Sequence, residues 1–131
     1  MNSRNQTSRE KGSATLEFAL AVSLVLTPML LGLVDFSRYL DVSHAVSRAA
    51  HEGVFEASRG HDPVQIVRSH VTSAGLDPAK VSVSLTPALG AATRGTSMQI
   101  TVSYNLSGYA LASWGGLFPQ ALSTRATARH E

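Results

Sequence analysis

The segment that decides the fold runs from Phe18 to Val34 and reads FALAVSLVLTPMLLGLV, seventeen residues without a charge. Extended back to Ser13, it contains twenty-two residues and a single acid, Glu17. At about 1.5 Å per helical residue this length spans roughly 30 Å, the thickness of the hydrocarbon core of a bilayer. Since no second hydrophobic segment is long enough to pack around it, we expect residues 13–34 to form a transmembrane helix.

The flanking charges predict the orientation of this helix. Arg4, Arg9 and Lys11 precede it, so the positive-inside rule places the N-terminus in the cytoplasm and the rest of the chain outside. A cleaved secretory signal has an apolar core of about 7–15 residues and ends in a small-residue cleavage site. Here the apolar run is longer and leads directly into Asp35-Phe36-Ser37-Arg38. These flanks favour a retained single-pass anchor in the cytoplasmic membrane.

Glu17 is unusual because an ionised carboxylate costs roughly 2–3 kcal/mol at the bilayer centre and less near the surface. It either reaches water at the cytoplasmic boundary or needs a partner. A short basic leader ends in Gly12, and Ser13 then begins a helix whose fifth residue is Glu17 and whose sixth is Phe18. This pattern resembles the site that a prepilin peptidase cuts in the type IV pilin superfamily.

The resemblance implies that residues 1–12 are a leader, removed between Gly12 and Ser13, and that Glu17 and Phe18 serve recognition and assembly. In that superfamily the acid at the fifth mature position pairs with the N-terminal amine of a neighbouring subunit, which implies pairing of Glu17 with the new amine of Ser13. Two opposite charges that are each costly in a low-dielectric interior become tolerable once they are adjacent. Gly12 suits a scissile bond because glycine neither favours the helix nor blocks access.

The helical period continues beyond the membrane segment. Apolar residues recur there at three- and four-residue spacings, at Phe36, Tyr39, Leu40, Val46, Ala50, Val54 and Ala57. This periodicity predicts one helix from Ala14 to Arg59, with residues 35–60 as its extracytoplasmic continuation and Gly60 as its stop. Pro28 removes the hydrogen bond to the Leu24 carbonyl and is expected to kink the helix.

A narrower resemblance is carried by Glu17-Phe18-Ala19-Leu20, Pro28, residues 32–38 and Ala49-Ala50-His51-Glu52-Gly53. Together these motifs are similar to the TadE-like family, pseudopilins of the tight-adherence (Flp) pilus system. The family typically has Arg-Glu-Gly-Ala-Arg where this chain has His51-Glu52-Gly53-Val54-Phe55, so His and Phe replace two basic residues. The resemblance implies a part in pilus assembly. Its implied partners are a prepilin peptidase, other pseudopilins or pilins, the assembly machinery and membrane lipid.

Residues 61–131 predict a small α+β head. Asp62 and Pro63 are typical of the N-cap and first residue of a short helix, which ends at Gly75. Alternating apolar and polar residues predict strands at 81–86 and 98–105, and a weaker one at 121–129. The expected fold is therefore α+β and pilin-like, with a long N-terminal transmembrane helix, a short helix and a small three-stranded antiparallel sheet.

The loop between the second and third strands is rich in large apolar residues, namely Tyr109, Trp114, Leu117 and Phe118. One interpretation is a lid that covers the core of a small domain. The other is a docking patch for a second subunit or for the membrane interface, where Trp and Tyr are enriched.

The composition argues against several functions. The chain has no cysteine, which excludes disulfides and cysteine-based sites, and its net charge of +2 gives no basic stripe for nucleic acid. The five histidines form no metal-binding motif, and neither a phosphate-binding loop nor a nucleophile elbow is present. The sequence thus predicts no enzyme, metal or cofactor. Two alternatives are an uncleaved envelope protein whose head binds a ligand or wall component, and a secreted enzyme, for which no catalytic set is found.

Overall fold

The computed structural model describes the backbone of residues 4–110, 116 and 119–130, and the side chains of these residues from Gly12 onward. The elements in chain order are α1 (Arg4–Ser58), α2 (Pro63–Ser73), a 3-10 turn (Pro78–Lys80), β1 (Val81–Thr86), β2 (Ser97–Asn105) and β3 (Ala121–Arg129). The predicted α+β class, a long helix followed by a short helix and three antiparallel strands, is confirmed.

Helix α1 is 55 residues long and begins at Arg4, so the predicted start at Ala14 is wrong. No proline interrupts the residues before Ser13, and a single glycine inside a helix costs only about 1 kcal/mol. The helix therefore continues through Gly12. Its C-terminal end agrees with the prediction, because Gly60 has a φ of 86° and the His61 amide donates to the Glu56 carbonyl at 2.9 Å, which is a Schellman termination.

The short helix α2 is capped as its sequence predicts. The Asp62 side chain accepts a hydrogen bond from the Val64 amide at 3.0 Å, and Pro63 occupies the first turn. Gly75 has a φ of 75°, and the Leu76 amide donates to the Val71 carbonyl at 3.0 Å. Both ends of α2 are therefore fixed by local chemistry.

The sheet has the order β1-β2-β3, and both neighbouring pairs are antiparallel. Val102 pairs with Val83 on one side and with Thr124 on the other. The inner residues of β2 are fully buried, at Met98, Ile100, Val102 and Tyr104. These side chains pack against α1. The central strand β2 therefore supplies most of the buried side chains that the sheet contributes to the core.

The head packs on the outer half of α1. The buried residues of this half are Asp35, Val42, Val46, Ala49, Ala50, Gly53, Val54, Ala57 and Ser58. The prediction that Phe36 and Leu40 belong to this face is wrong, since their exposed fractions are 49% and 38%. The small residues Ala49, Ala50 and Gly53 allow α2 and the sheet to approach α1 closely. The buried face of α1 is therefore marked by small residues as well as by valines, and not by its largest apolar side chains.

Candidate processing and assembly site

The predicted scissile bond between Gly12 and Ser13 lies inside α1, where both residues are exposed. A Cβ at Gly12 would have no heavy atom from elsewhere in the described chain within 4 Å. The Ser13 hydroxyl donates to Glu17 Oε1 at 3.2 Å. A protease binds its substrate in an extended form, so cleavage requires local unwinding of α1. Glycine lowers the cost of that unwinding by about 1 kcal/mol relative to alanine.

The two predicted recognition residues lie on an open part of the helix. Glu17 is exposed, and Phe18 is 71% exposed. Every described residue from 12 to 31 is exposed, and the most apolar part of α1 is not buried by any other described part of the chain. Both side chains are therefore accessible to a second protein or to lipid.

The apolar half of α1 has the properties of a membrane span. Among the residues that the structure describes, α1 is the single helix long and apolar enough to cross a membrane, with a mean hydropathy of 2.0 in its most apolar part. Pro28 lies within it and the helix continues on both sides. The Ser23 hydroxyl donates to the Ala19 carbonyl at 2.8 Å, so this polar group has a partner within its own helix. These features indicate a single-pass membrane protein.

The Glu52-Gly53 pair consists of an exposed acid and a buried glycine. A Cβ at Gly53 would lie 2.7 Å from Val67 Cγ2 and 3.0 Å from Ile100 Cδ1, closer than carbon atoms approach without rearrangement. At Gly53, helix α1 thus lies close to both α2 and β2. Close packing therefore favours glycine at this position, a reason that the sequence pattern alone does not supply.

The apolar loop is described at residues 106–110, 116, 119 and 120. Tyr109 is half-buried and packs against the core. Trp114, Leu117 and Phe118 lie outside the described residues, so the choice between a lid and a docking patch stays a prediction for them. Tyr109 lines a small cleft that also includes Asp35 and Pro119.

The family model described as TadE-like protein matches residues 12–54. These residues are similar to that family, and we call residues 12–54 the TadE-like segment. The match begins at the predicted cleavage glycine and ends one residue after Gly53. It therefore contains both the membrane-crossing stretch and Gly53, where α1 packs against α2 and β2. No curated protein and no solved structure matches the chain.

The resemblance sets two residues of this chain against basic residues of the family, His51 inside the matched segment and Phe55 one residue beyond it, and both are on the surface. His51 is exposed, and its Nδ1 lies 2.8 Å from the Ser47 carbonyl oxygen. Phe55 is 55% exposed. Since neither side chain is buried, their replacement changes the charge of this surface without changing the core.

Directly after the TadE-like segment, a group of charges joins the end of α1 to the following turn. His61 Nδ1 lies 2.7 Å from Glu56 Oε2, and Arg59 Nη1 lies 3.1 Å from Glu56 Oε1. The hydrogen bond with His61 is the main cause of a lowered pKa of Glu56, and the charge of Arg59 acts in the same direction. This pairing was not predicted from the sequence. The helix stop at Gly60 is a signal for it, because a Schellman turn folds His61 back toward Glu56.

The remaining histidines do not form a metal centre. His44, His51 and His70 line a shallow surface groove between α1 and α2, together with Arg48. Within the described part of the chain, no group of three histidine or carboxylate side chains is arranged to hold a metal ion.

Proposed function

We propose that this chain is a minor pseudopilin of the tight-adherence (Flp) pilus system. In this proposal a prepilin peptidase removes residues 1–12, and the mature chain takes part in pilus assembly from the cytoplasmic membrane, with its head outside the cytoplasm. The observation that carries the proposal is the TadE-like match over residues 12–54. The match supports a part in the tight-adherence pilus system, and such a part is structural rather than enzymatic.

The exposure of the membrane half of α1 supports the assembly role. Cleavage after Gly12 creates an amine on Ser13, one helical turn before Glu17. Because Glu17 is exposed, the carboxylate is accessible to the corresponding amine of a neighbouring pilin or pseudopilin. In such a pair the carboxylate and the amine stabilise each other in a lipid environment that solvates single charges poorly.

The test is the intact mass of the full-length chain expressed in membranes with an active prepilin peptidase. We expect wild-type protein to lose its first twelve residues and Gly12→Leu to keep them. Since the surroundings of Gly12 are open, leucine fits there without disturbing the fold, and loss of cleavage reports on recognition by the peptidase. Ser23→Leu is the matched control, because it makes a similar small-to-large change at an exposed position of the same helix and is expected to be cut normally.

Other N-termini would support other functions. A full-length wild-type chain in the presence of a peptidase that cuts a known substrate would contradict the proposal and favour an uncleaved envelope protein. A mature N-terminus near residue 35 or beyond would indicate removal of a secretory signal instead.

A further inference from the structure

The apolar surface of α1 does not end where the uncharged run ends. Beyond Val34, the stripe formed by Met29, Leu33, Phe36 and Leu40 continues at spacings of four, three and four residues. All four side chains are exposed. The next residue on this side of the helix is His44, which is also exposed. The surface therefore changes from apolar to polar between Leu40 and His44.

Asp35 is the charge that would end the membrane segment at Val34, but the head covers it. Its exposed fraction is only 4%, and it lines a small cleft with Tyr39, Leu106, Tyr109, Ala110 and Pro119. The carboxyl group is thus shielded from the surroundings of the helix. A bilayer that reaches beyond Asp35 would contact the apolar stripe rather than this acid.

The length of the helix is consistent with a membrane boundary beyond Val34. About twenty helical residues cross the hydrocarbon core, so a helix whose inner boundary is at Glu17 has its outer boundary near residue 37, and a tilted helix has its outer boundary further along. Arg38 is exposed at this level. Its long side chain can extend toward the lipid headgroups while the opposite side of the helix stays in the bilayer.

We propose that the outer leaflet of the bilayer covers Phe36 and Leu40, and that the end of the head around Tyr109 and Pro119 rests on the lipid headgroups. Continuity of the stripe with the membrane span favours lipid as its occupant. Tyr39 and Tyr109 lie at the same end of the head, and tyrosine is enriched at membrane interfaces. This contact fixes the height of the head above the membrane, and it does not depend on removal of the leader.

The absence of cysteine allows a direct test with single-cysteine variants of the full-length chain in lipid nanodiscs. The test variants are Phe36→Cys and Leu40→Cys. The matched controls are His44→Cys, one turn further along, and Phe55→Cys, which replaces an equally exposed apolar residue far from the span. The measurement is the rate of modification by a charged, membrane-impermeant maleimide, divided by the rate for the same variant in denaturant.

We expect modification at 36 and 40 to be about tenfold slower than at 44 and 55, because a low-dielectric surrounding that raises a thiol pKa by about one unit removes nine-tenths of its reactive thiolate. The protection must persist with one chain per nanodisc. Equal rates at 40 and 44 would overturn the proposal, since the helix would then leave the bilayer near Val34.

Protection that disappears on dilution to one chain per disc would also overturn it, because a second copy would then cover the stripe. All four positions are exposed in the chain, so these substitutions leave the core intact, and an unchanged far-ultraviolet circular dichroism spectrum checks this. The uncut chain is used throughout. The outcome is therefore independent of whether Gly12 is a cleavage site.

Discussion

The packing at Gly53 makes a quantitative prediction about the Gly53→Ala variant. The added methyl group would lie 2.7 Å from Val67 Cγ2 and 3.0 Å from Ile100 Cδ1, whereas ordinary carbon contacts are about 3.5–4.0 Å. Both neighbours are fully buried, and the β-branched Val67 has few rotamers on a helix. The variant therefore has to move α2 or force Val67 out of its preferred rotamer.

The expected loss follows from two opposing contributions. Overpacking a core costs typically 1–3 kcal/mol, while replacing glycine by alanine inside a helix contributes about 1 kcal/mol of stability. Because an approach of 2.7 Å is well inside the ordinary carbon contact distance, the overpacking cost should lie in the upper part of its range, about 2–3 kcal/mol. The net destabilisation should then be about 1–2 kcal/mol. For a head of this size, that corresponds to a decrease in Tm of roughly 5–15 °C. The assay is thermal unfolding of the full-length chain in mild detergent, followed by circular dichroism.

A double-mutant cycle makes this reasoning specific to one contact. Val67→Ala alone should destabilise the head because it leaves a cavity, but in the Gly53→Ala background the new methyl group fills part of that space. The double variant should thus be more stable than the sum of the single effects by about 1 kcal/mol or more. Glu52→Ala is the matched control, since this exposed neighbour should change stability by no more than about 0.5 kcal/mol. A Gly53→Ala variant at least as stable as wild type, with no coupling to Val67, would refute the close approach of the two helices.

Two further perturbations probe the head. Tyr104→Phe removes the hydroxyl that accepts a hydrogen bond from the Asp77 amide at 3.3 Å, so we expect the free energy of unfolding to fall by about 0.5–1.5 kcal/mol; an unchanged Tm would contradict this contact. The pKa of Glu56 is lowered from its usual 4.5, chiefly by the hydrogen bond with His61, so its ionised form stabilises the fold above that pH, and the contribution is lost as the pH falls through the lowered pKa. Glu56→Gln should therefore lower the Tm at neutral pH and reduce the decline of Tm below about pH 4.5, whereas parallel Tm curves in the acid range would argue against the pairing.

Local chemistry made the architecture of the head predictable. Asp62, Pro63 and Gly75 each act on backbone groups within a few residues of themselves, so the bounds of α2 follow from the sequence. The strands also followed from alternation, because one face of each strand is covered and the other is open. The start of α1 could not be predicted in the same way, since residues 4–12 contain a weak helix breaker rather than a strong stop signal.

The face of α1 that binds the head was only partly predictable. Periodicity identifies apolar positions but does not distinguish residues covered by the head from residues covered by something else. Phe36 and Leu40 follow the same spacing as the core residues, yet they lie on another side of the helix. Burial of Asp35 depends on elements more than sixty residues away in the chain, at Leu106 and beyond. The residue pattern of one helix does not show which distant residues will bury its side chains.

The TadE-like match covers the exposed membrane half of α1 and most of the half that packs against the head. Up to Gly53, the side chains of α1 include those of an exposed membrane span, and at Gly53 the helix is enclosed by α2 and β2. Any head that packs as close to α1 as this one favours glycine at this position, even if its other residues differ. The surface positions His51 and Phe55 carry no such requirement, because neither side chain is buried. We infer that the TadE-like segment specifies how the chain is anchored and where the head is attached. The exposed residues beyond it are then available to determine which partner the head contacts.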